Sequence, residues 1–176
     1  MDQEQLIYPT GRFVKPAEYT AEYNAKCLRK LKALPGELRQ ATYNLNEQQL
    51  DTAYRQDGWS PREIVHHLAD SHMNSLVRFK LALTEDVPTI KPYDQARWVQ
   101  GPDTRLPIST SLSILDGVHA RLSHLIEHMT EEDHARKLYH PEMETELELR
   151  HMMALYAWHG HHHLTQITDL KQRQGW

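Results

Sequence analysis

Thirteen of the 176 residues are histidine, and they cluster most densely in Trp158-His159-Gly160-His161-His162-His163. Neutral imidazole is a metal ligand and a proton carrier near neutral pH. On a helix, residues four apart share a face, so His159 and His163 can grip one ion from adjacent turns. A helical wheel supports this pair. Leu149, Met152, Met153, Tyr156, Leu164, Ile167 and Leu170 define the buried face. His163 falls roughly 30° and His159 roughly 70° from its centre, whereas His161 and His162 fall about 130° away, towards solvent. Such pairs also arise by chance in a histidine-rich chain, and His124 with His128 forms another.

A second string reads Val65-His66-His67-Leu68-Ala69-Asp70-Ser71-His72-Met73-Asn74. Its apolar face is set by Ile64, Val65, Leu68, Leu76, Phe79 and Leu83. His72 lies on that face, and His66 and His67 flank it from opposite sides. His67, Ser71, Asn74 and Arg78 form a polar stripe, which either faces solvent or lines an internal pocket. The wheel does not choose among His66, His67 and His72.

The elements that must carry these residues are helical. Leu, Glu, Gln and Arg are plentiful and Val and Ile sparse, which favours helix over strand. Residues 1–16 read as an irregular arm with turns at Pro9, Gly11 and Pro16. A first helix is expected over about 17–43, interrupted at Pro35, with a capped turn at 46–49. Ser60-Pro61-Arg62-Glu63 is a capping box with proline at the first helical position, opening a helix that runs to about Thr84. Four prolines between 86 and 107 mark a long crossover, with a short helix near 95–99. A third helix is expected over about 110–129, a helical turn from Thr130, an extended or looped stretch around Pro141, and a fourth helix over about 147–173. Four long amphipathic helices with one long crossover read as an all-α four-helix bundle, filling 1–176 as one domain.

Composition narrows the function classes. Lys plus Arg number 20 and Asp plus Glu 24, for a formal charge of −4. That balance argues against a nucleic-acid binder that depends on phosphate contacts. No apolar run is long enough to span a bilayer, and no secretory signal is visible. The single cysteine, Cys27, cannot form an internal disulfide, so a cytoplasmic setting is the expectation.

Trp59-Ser-Pro-Arg-Glu-Ile-Val-His-His67-Leu-Ala-Asp70-Ser-His-Met-Asn74, together with Trp158-His-Gly-His-His-His163-Leu-Thr-Gln-Ile167, resembles the DinB/YfiT-like family, and most of all its YfiT subgroup of metal-dependent hydrolases. The resemblance extends to Tyr8-Pro9, Gln49-Leu-Asp-Thr52, Arg78-Phe-Lys-Leu81, Pro92-Tyr-Asp94, Tyr139-His-Pro141 and Gly175-Trp176. It implies an up-down-up-down bundle, a homodimer, and one divalent metal, zinc or nickel, held by His67, His159 and His163. The wheel selects the latter two independently, and only the resemblance selects His67.

Three neutral imidazoles would leave an ion at least one open position, as catalytic sites do. The ion could activate water, which is the hydrolase expectation. It could instead hold a small thiol as thiolate for S-transfer, since some members of the wider superfamily use low-molecular-weight thiols such as bacillithiol. A non-catalytic metal-binding module is the third reading. Glu63, one turn before His67, and Asp70, three residues after it, are candidate base and orienting group. Gln166 is a candidate substrate contact, and Asn74 and Arg78 are candidates for holding an anionic group. No Glu lies between the two histidines in the His-Glu-x-x-His manner, so protease-type catalysis is not indicated. His119, His124, His128, His134, His140 and His151 are expected on solvated faces.

Overall fold

The computed structural model describes residues 3–176. Several of its helices start where a side chain satisfies one of the first free backbone amides. A short α1 (Gln3–Ile7) precedes α2 (Ala21–Thr42), whose first turn is capped by the Thr20 hydroxyl accepting from the Tyr23 amide. After α3 (Glu47–Leu50), Ser60 and Glu63 form the expected reciprocal box at the start of α4 (Pro61–Thr84). The crossover carries α5 (Gln95–Trp98) and a single 3₁₀ turn (Pro102–Arg105) before α6 (Ile108–Glu127). Then come α7 (Glu131–Ala135), the hairpin β1 (Lys137–His140) and β2 (Thr145–Glu148), and α8 (Leu149–Gln174). Gly175 ends α8 in the left-handed region that glycine adopts without strain.

Contacts between helices fix their directions. Lys32 pairs with Glu127 and Arg39 with Asp116, so α2 and α6 run antiparallel. Tyr19 reaches His151 before α2 begins, and Lys171 reaches the Ala41 carbonyl near its end, so α2 and α8 run parallel. His66 meets Ser111 and His72 stacks on His119, making α4 and α6 parallel. Arg78 meets Tyr156 and His67 meets His159, making α4 and α8 antiparallel. The four-helix bundle and its long crossover match the sequence expectation, but the order of directions is up-down-down-up rather than strictly alternating. The crossover explains the difference. Between parallel neighbours the chain must travel back along the 24-residue α4, about 36 Å, which no short turn can do.

Pro35 lies inside α2 without ending it. Proline supplies no amide to the carbonyl four residues earlier, here Leu31. His119 fills that gap, donating from Nδ1 to the Leu31 oxygen at 2.6 Å. His119 is therefore buried between α2 and α6, not solvated as expected. His134 is also buried, and His140 and His151 are half-buried, while His124 and His128 are exposed as expected.

The arm is more ordered than its sequence suggested. Trp158 donates its indole N–H to the Gly11 carbonyl at 3.1 Å, and Gln166 donates to the Ile7 carbonyl at 3.0 Å. These bonds lay the arm across the outer face of α8. Two apolar clusters fill the bundle. One contains Leu31, Phe79, Leu122 and Met152, and the other Leu38, Ile64, Leu115 and Ile167. Between them lies a layer of buried histidines contributed by α4, α6 and α8.

Candidate metal centre

His67, His159 and His163 converge in that layer, with their ligand nitrogens all within 4.8 Å of one another. The Nε2 atoms of His67 and His159 face each other at 3.2 Å. Two nitrogens bound to one tetrahedral ion at about 2.05 Å stand about 3.3 Å apart, so this spacing fits a shared cation. His67 comes from α4 and the other two from α8. The antiparallel crossing of those helices brings residues 67 and 163 level.

Burial holds the rings in the form a metal needs. Desolvation, followed by repulsion from His163, depresses His67 to about 3. His159 and His163 are driven well below the ordinary imidazole range, again by burial first and by neighbouring imidazoles second. All three are therefore neutral at pH 7, with lone pairs available.

Hydrogen bonds orient two of the rings. Gln166 must present its NH₂ to the Ile7 carbonyl, so its Oε1 accepts from His163 Nδ1–H at 2.8 Å. That fixes the tautomer and turns Nε2 towards the site. The same NH₂ lies 3.1 Å from His162 Nε2, which accepts. His159 Nδ1 lies 3.4 Å from Nε2 of the fully buried His72. Trp59 closes one side, its ring 4.6 Å from that of His67 and 5.8 Å from that of His163.

Two clefts open beside His159. A smaller one, about 280 Å³, is lined by Tyr8, Trp59, Gln95, His159, His163 and others. A larger one, about 730 Å³, is lined by Ser71, Arg78, Tyr93, His140, Tyr156 and others. Among the described residues no fourth histidine, cysteine, aspartate or glutamate joins the cluster.

The remaining sequence candidates separate here. Glu63 is used in the capping box, its carboxylate accepting from the Ser60 amide at 2.7 Å, and it lines neither cleft beside His159. Asp70 forms no hydrogen bond to the three rings among the described residues. Burial, helped by the charge of Asp103, raises its carboxyl to about 6. Asn74 bonds back to the Asp70 carbonyl and lines neither cleft. Arg78 does line the larger cleft. Gln166, expected to touch substrate, lines the smaller cleft and also positions His163. His66, left open by the wheel, ties α4 to α6 through Ser111 Oγ at 2.7 Å and the Leu106 carbonyl at 3.1 Å. His161 is exposed as expected, but His162 is buried. Its ring stacks on Trp158, with Tyr8 of the arm 5.7 Å away. The wheel missed this because it knew only the core side of α8. Sequence reasoning also passed over Trp59 and Tyr156 as parts of the site. Aromatics next to the two histidine strings were the available signal.

The profile of the DinB superfamily matches residues 30–167. The chain belongs to the DinB superfamily. It is 44% identical to a Bacillus mycoides protein named "Putative metal-dependent hydrolase", over 98% of this chain and 99% of that one. It is 45% identical to a Bacillus cereus protein of the same description, over 97% and 98% of the two chains. Its structure superposes on YfiT from Bacillus subtilis with a TM-score of 0.95 at 41% identity, covering 98% of this chain and 99% of YfiT. YfiT is described as "a probable metal-dependent hydrolase with an unusual four-helix bundle topology". The mycothiol-dependent maleylpyruvate isomerase shares the fold, with a TM-score of 0.65 at 11% identity over 82% of this chain and 60% of the isomerase. No described helix is long and apolar enough to cross a membrane.

Proposed function

We propose that this protein is a metal-dependent hydrolase of small molecules, with one divalent ion on His67, His159 and His163. The observation that carries the reading is the convergence of three neutral imidazoles, two buried and one half-buried, with no fourth protein ligand among the described residues. A structural ion is more often sealed by four side chains, whereas an open position is the mark of a catalytic one. When bound, the ion would lower the pKa of a coordinated water to about 7 and polarise a substrate oxygen. Zinc is the first choice and nickel the alternative, because an all-imidazole donor set suits both.

The protein residues have separate tasks in this reading. Gln166 and His72 hold the ligand rings. Trp59 keeps bulk water from one side. The two clefts beside His159 admit substrate and release product.

One observation favours a second reading, metal-dependent S-transfer from a small thiol. His159 borders two clefts, and a two-substrate reaction would use both. The test is a panel of esters and amides offered to the metal-loaded protein with and without a low-molecular-weight thiol. Turnover without thiol supports hydrolysis. Turnover that requires thiol and yields a conjugate replaces it with transfer. No turnover in either arm, with the ion shielded from added ligands, returns the protein to a binding role.

A further inference from the structure

The larger cleft is walled by an arginine that has no acidic partner. Arg78 projects from α4, half-buried, and forms no ion pair among the described residues. Nη1 donates to the Tyr156 hydroxyl at 3.0 Å and Nη2 weakly to the Lys91 carbonyl at 3.4 Å. Of its five N–H groups, these bonds occupy two, and both acceptors are neutral. Tyr156 is itself buried at 5% exposure, so the guanidinium is held in place by a rigid neighbour. A guanidinium fixed in this way, without a carboxylate, is preorganised for an anion from solution.

A second polar side chain stands on the same wall. His140 ends β1, and its Nδ1 is buried without a protein partner. The hairpin is held to the crossover, since the Ile90 amide bonds the Tyr139 carbonyl and the Tyr139 amide bonds the Pro88 carbonyl. This staple brings His140 and Tyr93 to the cleft beside Arg78. Two carboxylates also border it. Asp94 is engaged, capping the Arg97 amide at 3.1 Å and lying 3.9 Å from the Arg97 guanidinium. Glu142 is exposed in the hairpin turn. Neither pairs with Arg78.

Position relates this wall to the metal centre. Tyr156 precedes His159 by three residues on α8, about one helical turn or ~5 Å along the axis. We propose that the Arg78–His140 wall is a subsite for a carboxylate, so that the substrate, or the thiol co-substrate, is an organic acid. Its anionic end would lie about a turn from its reacting end. This inference rests on the metal-site reading above for its functional meaning, but the subsite itself needs no metal.

The experiment therefore uses the metal-free, full-length protein. Phenylacetate and its neutral amide, phenylacetamide, are titrated calorimetrically. Charge-assisted bonds to a half-buried guanidinium should favour the carboxylate by about 10- to 100-fold. Arg78→Gln should abolish the preference, Arg78→Lys should retain part of it, and His140→Phe should reduce it. His67→Ala should leave it intact, which separates failure of this subsite from failure of the metal centre. Circular dichroism of each variant confirms folding, and Arg78→Lys guards against a misfolded glutamine variant. Equal binding of the two probes, no binding of either, or an unchanged preference in Arg78→Gln would overturn the proposal.

Discussion

Gln166 is the most informative single position to perturb. Its amide serves three groups at once, accepting from His163 Nδ1–H and donating to the Ile7 carbonyl and to His162 Nε2. Gln166→Leu keeps the volume and removes all three bonds. The Ile7 carbonyl, on the partly exposed arm, can recover water. The two ring nitrogens are buried, and each orphaned group costs about 1–3 kcal/mol, so the variant should lose about 2–6 kcal/mol of stability. His163 also loses the bond that fixes its tautomer. Removing such a partner weakens metal binding about 10- to 100-fold. Gln166→Glu separates the two effects. A carboxylate still accepts from His163 Nδ1–H, so metal affinity should stay within a few-fold of the wild type. It cannot donate to Ile7, so the arm should loosen. Competition against a chromophoric zinc chelator reads the affinity, and limited proteolysis near residue 11 reads the arm. If Gln166→Leu binds zinc as tightly as the wild type, or if the glutamate variant fails as badly as the leucine variant, the positioning argument is wrong.

Other expectations follow from the same contacts. His119→Phe should destabilise the protein by about 1–3 kcal/mol, because it orphans the Leu31 carbonyl. Pro35→Ala restores an amide to that carbonyl, so the double variant should cost less than the sum of the singles, by about 1 kcal/mol in urea melts. Additivity would mean that His119 does not stand in for the missing amide. The metal-free protein should be acid-labile. His67 is depressed to about 3, and His119 and His162 to about 4, in each case chiefly by burial. Above about pH 6.5 neither folded nor unfolded chain holds these protons. Below it only the unfolded chain does, so stability falls with pH until the folded values are reached. The three together give a slope of about 4 kcal/mol per pH unit, which would exhaust an ordinary reserve between about pH 3 and 5. Urea melts stepped from pH 7 to 5 check this, and a flat profile would refute the neutral-histidine layer.

Much of this was legible in the sequence. The four long helices, the Ser60 capping box and the inward pair His159 and His163 follow from period, caps and prolines. His67 needed a family resemblance, because α4 carries histidines on several faces and the wheel cannot say which face meets α8. Directions were illegible for a related reason. A prolines-and-loop crossover has the same composition whether it returns to the near or the far end of the bundle. His119 and His162 were misplaced because their burial is made by distant segments. Pro35 creates a need on α2 that a residue 84 positions later fills, and the arm covers α8 from the side the core leaves open.

The most direct test of the central claim is metal content per chain after loading with zinc and removal of free ion. The wild type and His161→Ala should each retain about one ion. His67→Ala, His159→Ala and His163→Ala should each retain almost none while keeping wild-type helicity. Full occupancy in any of those three, or a loss in His161→Ala equal to theirs, would contradict the account.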